Sequence, residues 1–334
     1  MRRFKKYLAL STAIIMGLTS FSACSKEENS GEKKIKIGVA QLALHVSLDE
    51  VRDGFTAKLK ELGYVDGENV EIDYKDAQGE PSNNQAIIDS FKTDKKDVIL
   101  AIATSTSQAA EKISEDIPIV FAAVSDPVTS GLVDSLENPG KNVTGVSDAL
   151  DLERFVDLMY TLTPDIKKVG LLYNSGEVNS IDAINALKEQ LNSMGKEVEF
   201  VEGGVTNTGE VAQAAQSLIN KGVDALFTPT DNTLASQIGP AARLAEEAKI
   251  PFYVGADSMV KGGALATVGI NYNLVGEDAA VMVADIINGT KKASEIPVKV
   301  YSDELSIYIN KKTVEAIGIT IPDSVKNNPK LVLI

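Results

Sequence analysis

Short apolar runs alternate with segments of helical periodicity along most of the chain. Runs typical of buried strands lie at 35–40, 69–74, 97–103 and 119–124. Between the first two runs, apolar residues recur at helical spacing from Val51 to Leu62, and Gly63 ends the predicted helix. Ser47 and Glu50 have the spacing of a capping box, so we expect Ser47 to cap this helix. This alternation predicts βαβ units and a parallel sheet.

The same order recurs about 130 residues later in the chain. The segment 167–174 matches 34–41, and the clearest match pairs 97–126 with 224–257. Each member of that pair is a strand, a hydroxyl-rich turn, a helix, an Ile-Pro step, a strand and an Asp. The repeat predicts an α/β fold of two similar doubly wound parallel-sheet lobes. Ligands of such sheets bind beyond the carboxyl ends of the strands, which predicts a cleft between the lobes.

A run of four hydroxyl residues, Thr104 to Ser107, separates one predicted core strand from a helix predicted at 107–115. Ser and Thr at a helix start satisfy free backbone N–H groups, and one cap residue needs only one hydroxyl. Two interpretations therefore stay open. In the first, the hydroxyls are caps, with Thr104 or Ser107 in that position. In the second, the others face a ligand.

The first 24 residues have the pattern of a secretory leader. Four basic residues precede an apolar run, 7–18, and small residues lead to Cys24. This arrangement resembles a bacterial lipobox, in which the Cys thiol receives a diacylglyceryl group, although Phe21 stands where an aliphatic residue is usual. We expect a signal peptide over 1–23, a lipid anchor at Cys24 and a polar tether over 24–34.

Charge and motifs exclude several classes of function. The formal net charge of −14 would become −18 without residues 1–23, and such a surface repels nucleic acid. Cys24 is the only Cys and His45 the only His, so neither a thiolate metal site nor a nucleophile–base pair is indicated. The phosphate-binding and dinucleotide-binding Gly motifs are missing from the sequence. No enzyme activity, metal or cofactor is expected.

Four segments, 124–133, 140–148, 227–233 and 263–272, resemble the solute-binding lipoproteins of ABC importers in the tryptophan/tyrosine-type family. The resemblance runs from about Ile35 to Pro322. It implies a type I periplasmic-binding-protein fold, in which two lobes joined by three crossings close on one small molecule. It places 35–147 with 273–298 in lobe 1, and 148–272 with 299–334 in lobe 2. It also implies aromatic amino acids as ligands, and an ABC permease and ATPase as partners.

An amino acid presents a carboxylate and an ammonium, and the candidate residues follow from these two charges. Ser105 and Thr106 would hold the carboxylate at a helix N-terminus. Asp257 is the first candidate for the ammonium, whereas Asp126, which precedes Pro127, is either a second candidate or a turn residue. Further polar candidates at the strand ends are Gln41, Ser125, Asn174, Thr230 and Asn232. Asp231 is either an N-cap or a ligand contact.

His45 lies in the loop after the first strand, where it either stacks on an aromatic ligand or has no ligand role. The predicted function is ligand capture outside the cytoplasm for an ABC importer. One alternative is a lipid-anchored sensor or co-receptor of the same fold, and another is an importer component for a different small solute.

Overall fold

The computed structural model describes residues 34–334. The predicted signal peptide, Cys24 and all of the predicted tether except Lys34 lie outside the described residues. None of the helices within residues 34–334 is long and apolar enough to cross a membrane.

The first sheet consists of five parallel strands in the order β2-β1-β3-β4-β5. These strands are β1 (Ile35–Gln41), β2 (Val70–Asp76), β3 (Val98–Ile102), β4 (Ile119–Val124) and β5 (Val143–Ser147). The helices between them are α1 (Val46–Glu61), α2 (Pro81–Thr93) and α3 (Thr104–Glu111). Strands β3, β4 and β5 are buried along their whole length, as expected for a parallel sheet covered on both faces.

The second sheet repeats this order and extends it. Its strands run β7-β6-β8-β9-β10, and β11 and β12 follow at one edge, with β11 antiparallel to β10. The strands are β6 (Lys168–Asn174), β7 (Glu199–Val205), β8 (Ala225–Thr228), β9 (Phe252–Val254), β10 (Ala266–Gly269), β11 (Ser306–Ile309) and β12 (Leu331–Leu333). The predicted α/β architecture of two parallel-sheet lobes is therefore confirmed.

The remaining helices pack around the two sheets. They are α4 (Leu152–Leu162), α5 (Val178–Ser193), α6 (Val211–Asn220), α7 (Asn232–Ser236), α8 (Ile238–Glu247), α9 (Asp257–Lys261), α10 (Tyr272–Ile287), α11 (Lys311–Ile317) and α12 (Asp323–Lys326), with short 3₁₀ turns at Thr208–Glu210 and Ala293–Glu295. Helix α10 follows the second sheet in sequence but packs on the first, against α1, β3, β4 and β5. The predicted boundaries of the lobes stay a prediction.

Two glycines allow α1 and α10 to approach closely. A Cβ at Gly54 would lie 2.3 Å from the Asn273 carbonyl oxygen, and one at Gly276 would lie 2.0 Å from the Val51 carbonyl oxygen. Both distances are too short for a real side chain, so the helix backbones can touch only because these two residues are glycine. This contact fixes α1, and hence the loop before it, against the first lobe.

The start of α1 differs from the sequence prediction. The helix begins at Val46 with His45 as N-cap, and its cap position has no side-chain hydrogen bond among the described residues. The capping box at Ser47 and Glu50 is therefore wrong. The Ser47 Oγ lies 2.6 Å from the Ser258 Oγ of the second lobe instead. The Ser47 hydroxyl therefore contacts the other lobe. A capping pattern of neighbouring residues in the sequence cannot predict such a contact.

Candidate functional site

A small cavity lies between the two lobes at the carboxyl ends of the strands, with a volume of about 20 Å³. This is room for about one water molecule, so the two lobes lie close together at this point. Residues of both lobes line it, namely His45, Ser47, Leu48, Thr104, Ala123, Ser125, Asp148, Asn179, Thr230, Asp231, Asn232, Ala235, Ala256, Met259 and Tyr272. Four of the predicted site residues are among them: His45, Ser125, Thr230 and Asn232.

Hydrogen bonds between side chains join the lobes around this cavity. The Ser125 Oγ lies 2.9 Å from the Thr230 Oγ1, and the His45 Nε2 lies 3.1 Å from the Asn232 Oδ1. Ser47 and Ser258 form the third such contact. The described conformation is therefore closed, and polar side chains hold it closed.

Asp148 is the residue directly after β5, at the carboxyl end of the first sheet. Ser125 and Tyr272 donate hydrogen bonds to its two carboxylate oxygens, over 3.0 and 2.9 Å. Its side chain is buried, and burial raises the pKa of Asp148 against the effect of these hydrogen bonds. Neither Lys nor Arg is among the described residues that line the cavity with Asp148, so its negative charge has no cationic partner there. The site would therefore gain from a bound cation.

The turn in the second lobe that carries Thr230 and Asn232 is fixed by two carboxylates. Asp231 is the N-cap of α7 and accepts from Leu234 N at 2.8 Å, from Asn174 N at 2.6 Å and from the Ser180 hydroxyl at 2.8 Å. Of the two interpretations of Asp231, the N-cap role is thus confirmed. Burial and the nearby Glu177 raise the pKa of Asp231 to about 7.

Glu177 is the second of these carboxylates. It accepts hydrogen bonds from the backbone N–H groups of Asn232 and Thr233, at 3.1 and 3.0 Å. It also accepts from the side chains of the same two residues, at 2.7 and 2.9 Å. One buried carboxylate therefore determines both the position and the orientation of Asn232, which reaches across to His45.

The hydroxyls of the equivalent turn in the first lobe form hydrogen bonds within that lobe. The Thr106 Oγ1 donates to Asn84 over 3.0 Å, Asn84 donates to Ser105 over 3.3 Å, and Ser107 donates to the carbonyl of Ala103. Helix α3 begins at Thr104 rather than at 107, and no described side chain caps it. The prediction that Thr104 or Ser107 is the cap is therefore wrong.

Of the four hydroxyl residues, Thr104 lines the cavity, whereas Ser105 and Thr106, which were predicted to hold the carboxylate, do not. The backbone explains the arrangement, because Ala103 has φ of 81° and Ala123, at the end of the neighbouring strand, has φ of 55°. These left-handed conformations are costly for alanine, and such strain is found preferentially at functional sites. Ala103 directly precedes α3, and Ala123 itself lines the cavity.

The two equivalent aspartates, Asp126 and Asp257, also lie outside the cavity lining. Asp126 accepts from the backbone N–H groups of Val128 and Thr129, at 3.1 and 2.9 Å, which is the turn role considered for it. Asp257 is buried at the start of α9, and its Oδ2 is paired with the Lys261 Nζ at 2.8 Å. The same Nζ lies 3.1 Å from the Glu50 Oε1, so Asp257 shares this cation, and its Oδ1 has no hydrogen-bond partner among the described residues.

Gln41 and Asn174, the paired residues at the first strand of each lobe, are used as structural amides. Gln41 donates to the Ala43 carbonyl and to Asp49, at 2.7 and 2.9 Å. The Asn174 side chain donates to Thr233 and accepts from Gly176 N. Asn174 also borders a wider groove of about 810 Å³ between the lobes, which shares Asn232 with the cavity.

His45 is half-buried beside Asn232, and desolvation lowers its pKa, although the Asn232 hydrogen bond and the carboxylates of Glu177, Asp49 and Asp76 act in the opposite direction. The imidazole is therefore neutral at neutral pH. No cluster of three or more potential metal-ligating side chains occurs in the part of the chain that the structure describes.

Sequence analysis missed the two most informative residues, Asp148 and Glu177. Asp148 stood in the segment 140–148, which was noted only for its family resemblance. Its place directly after an apolar run, like that of Asp126 and Asp257, was a usable signal. Glu177 carried no such signal, because its partners lie more than fifty positions away and it looks like an ordinary polar residue before a helix.

Comparison with known proteins agrees with the fold. Residues 36–333 match the family model described as ABC transporter substrate binding protein. A protein of Clostridioides difficile (strain R20291) named "Tyrosine-binding protein" is 39% identical over 329 residues, covering 96% of this chain and 94% of that protein. The chain belongs to the family of ABC transporter substrate-binding proteins, which confirms the resemblance.

Two solved structures show the family in different states. The ABC domain in complex with L-Trp from Streptococcus pneumonia is 34% identical, covers 90% of this chain and 100% of that chain, and has a TM-score of 0.84. A ligand-free, open structure of a substrate-binding protein with adhesive properties from Clostridium difficile is 40% identical, covers 90% and 99%, and has a TM-score of 0.68. The described lobes thus stand closer to the arrangement of the ligand-bound relative, in agreement with their closed state.

Proposed function

We propose that this protein captures an aromatic amino acid in the cleft between its lobes and delivers it to an ABC permease and ATPase. The observation that carries the proposal is Asp148. It is a buried carboxylate in the cavity lining, and neither Lys nor Arg is among the described residues that line the cavity with it. Such an environment favours a ligand that brings its own positive charge, as the ammonium of an amino acid does.

The ligand's carboxylate needs donors rather than acceptors. The start of α3 lies at the cavity through Thr104 and has no side-chain cap among the described residues, so its backbone N–H groups can receive an anion. The hydroxyl of Ser47 adds a further donor, because Ser258 can be the donor in the contact between these two side chains. Ser105 and Thr106 keep the supporting role of holding this turn, and a direct contact of either with the ligand stays a prediction.

The apolar part of the lining accommodates a side chain. It consists of Leu48, Ala123, Ala235, Ala256, Met259 and the ring of Tyr272. The relative named as tyrosine-binding and the relative solved with L-Trp support an aromatic side chain in this position. We assign the ammonium to Asp148 rather than to Asp257, because Asp257 is paired with Lys261.

A panel of ligands tests this function. A ligand present at about 100 times its dissociation constant stabilises the folded protein by roughly 2.7 kcal/mol, which raises the melting temperature measurably. We expect such a shift with L-tyrosine or L-tryptophan. Tyramine, which lacks the carboxylate, and 4-hydroxyphenylpropionate, which lacks the ammonium, are the matched controls and should give none. A shift with sugars but not with amino acids would contradict the proposal.

The lipid anchor is a separate part of the proposal and rests on the lipobox-like segment that ends at Cys24. In a bacterial host, Cys24→Ser should abolish labelling by fatty acid and release the protein from the membrane fraction, because this is the only thiol of the chain. A variant that still carries labelled fatty acid would contradict the anchor and leave the ligand site untouched.

A further inference from the structure

The single histidine of the chain has a defined tautomer, and this has a consequence for ligand choice. His45 precedes α1 in the first lobe, lines the cavity and places its Nε2 3.1 Å from the Asn232 Oδ1 in the second lobe. Which of the two atoms carries the hydrogen depends on the orientation of the Asn232 amide.

Glu177 fixes that orientation. The Asn232 Nδ2 lies 2.7 Å from the Glu177 Oε2, and a carboxylate in this position accepts hydrogen bonds, since the backbone N–H groups of Asn232 and Thr233 also point to it. The amide nitrogen therefore faces Glu177 and the amide oxygen faces His45. An amide oxygen accepts only, so the His45 Nε2 carries the hydrogen and donates it.

The second ring nitrogen is then an acceptor without a donor. In a neutral imidazole with a protonated Nε2, Nδ1 has a free lone pair. The Nδ1 of His45 is buried and has no hydrogen-bond partner among the residues that the structure describes. Burial also lowers the pKa of His45, which keeps the ring neutral and Nδ1 unprotonated. A buried acceptor of this kind costs free energy until something donates to it.

We propose that the Nδ1 of His45 accepts a hydrogen bond from the ring O–H or N–H of the bound amino acid, and so selects tyrosine and tryptophan over phenylalanine. The inference rests on the proposed function. The side chains of tyrosine and tryptophan share a ring with a single hydrogen-bond donor. One acceptor in the site could therefore recognise both. A site that has a hydrogen-bonding group for its ligand rejects the analogue that lacks the partner, because the group is then left unpaired.

Ligand analogues test this with the unaltered protein. Calorimetry should give L-tyrosine an affinity about tenfold to a hundredfold higher than that of 4-fluoro-L-phenylalanine, which has nearly the same size but no donor. L-Phenylalanine should be weakened similarly. Equal affinities for these three ligands would overturn the inference and leave the proposed function standing. If none of the amino acids binds, the proposed function fails and this inference with it.

Two substitutions separate the two ring nitrogens. The amide of His45→Gln reaches the position of Nε2, so it keeps a donor to Asn232 but loses the acceptor. The amide of His45→Asn ends near Nδ1, so it keeps an acceptor but loses the contact with Asn232. We expect the Gln variant to bind tyrosine and phenylalanine within about threefold of each other, whereas the Asn variant retains a preference for tyrosine. A Gln variant that weakens all ligands equally, while its melting temperature is unchanged, would place His45 at the ammonium or in lobe closure and overturn the inference.

Discussion

The two lobes contain equivalent strand-to-helix turns that resemble each other in sequence but differ in how they are held. The turn at Thr104 is rich in hydroxyls, and its Thr106 and Ser107 bond to Asn84 and to backbone carbonyls within the first lobe. The turn at Asp231 is held by two buried carboxylates, Asp231 itself and Glu177. Only the second turn sends side chains across the cleft, through Thr230 and Asn232.

This difference shows that the two turns contribute different groups to the cleft. Hydroxyl groups form hydrogen bonds with neighbouring polar groups and cost little free energy to bury. In the first turn they leave the backbone N–H groups at the start of α3 free to bind an anion. Carboxylates are costly to bury, but each can hold several donors at once in a fixed geometry. The first turn therefore supplies free backbone donors to the cleft, and the second supplies oriented side chains.

The largest effect is expected from removing the carboxylate that holds the second turn. Glu177→Ala leaves two backbone N–H groups and two side chains without their acceptor, and it frees the Asn232 amide. The free energy of unfolding should fall by about 3 kcal/mol or more, measured by chemical denaturation. The affinity for the amino acid should fall by about tenfold or more, because Asn232 and His45 lose their arrangement.

Asn84→Ala is the matched change at the first turn, since Asn84 is buried and bonds to Ser105 and Thr106. It should lower the free energy of unfolding by about 1–3 kcal/mol and leave the affinity within about threefold of the unaltered protein. If Asn84→Ala weakened the ligand more than Glu177→Ala does, the two turns would have the opposite roles.

A smaller effect is expected from the same chemical change, Thr to Val, in each turn. Thr230→Val removes the hydroxyl that contacts Ser125 across the cleft, so affinity should fall by about twofold to tenfold with little change in stability. Thr106→Val removes a hydroxyl inside the first lobe, so stability should fall by about 1 kcal/mol with unchanged affinity. Calorimetry and denaturation of the two variants measure both quantities. Equal loss of affinity in both would mean that Thr106 reaches the ligand.

Much of the fold could be predicted from the sequence because the information is local and repeated. Buried parallel strands such as β3 and β4 are continuous apolar runs, and the repeat of 97–126 in 224–257 requires two similar sheets. The start of α1 could not be predicted, since Ser47 contacts Ser258, more than two hundred positions later. A capping pattern carries no information about such a partner.

Part of the cavity lining could be predicted from the sequence, whereas Asp148 and Glu177 were missed. His45, Ser125, Thr230 and Asn232 lie at strand ends that topology brings together, and they line the cavity. Asp257 follows a core strand and was therefore a candidate for the ammonium, and its Oδ2 is paired with Lys261, one helical turn further on. The role proposed for Asp148 depends on the absence of Lys and Arg from the described lining of the cavity, and that depends on packing between elements distant in sequence.

The most direct test compares the two buried carboxylates, Asp148 and Asp257, by calorimetry with L-tyrosine. Asp148→Asn keeps the size of the side chain and one acceptor oxygen for Tyr272, and its amide N–H can donate to the Ser125 Oγ, but it removes the charge that would pair with the ammonium. Its affinity should be lower by about tenfold to a hundredfold, since hydrogen bonds to charged groups contribute roughly 1.5–3 kcal/mol each. Asp257→Asn should remain within about threefold of the unaltered protein. A loss in Asp257→Asn, with the affinity of Asp148→Asn unchanged, would contradict the assignment of the cavity as the amino-acid site.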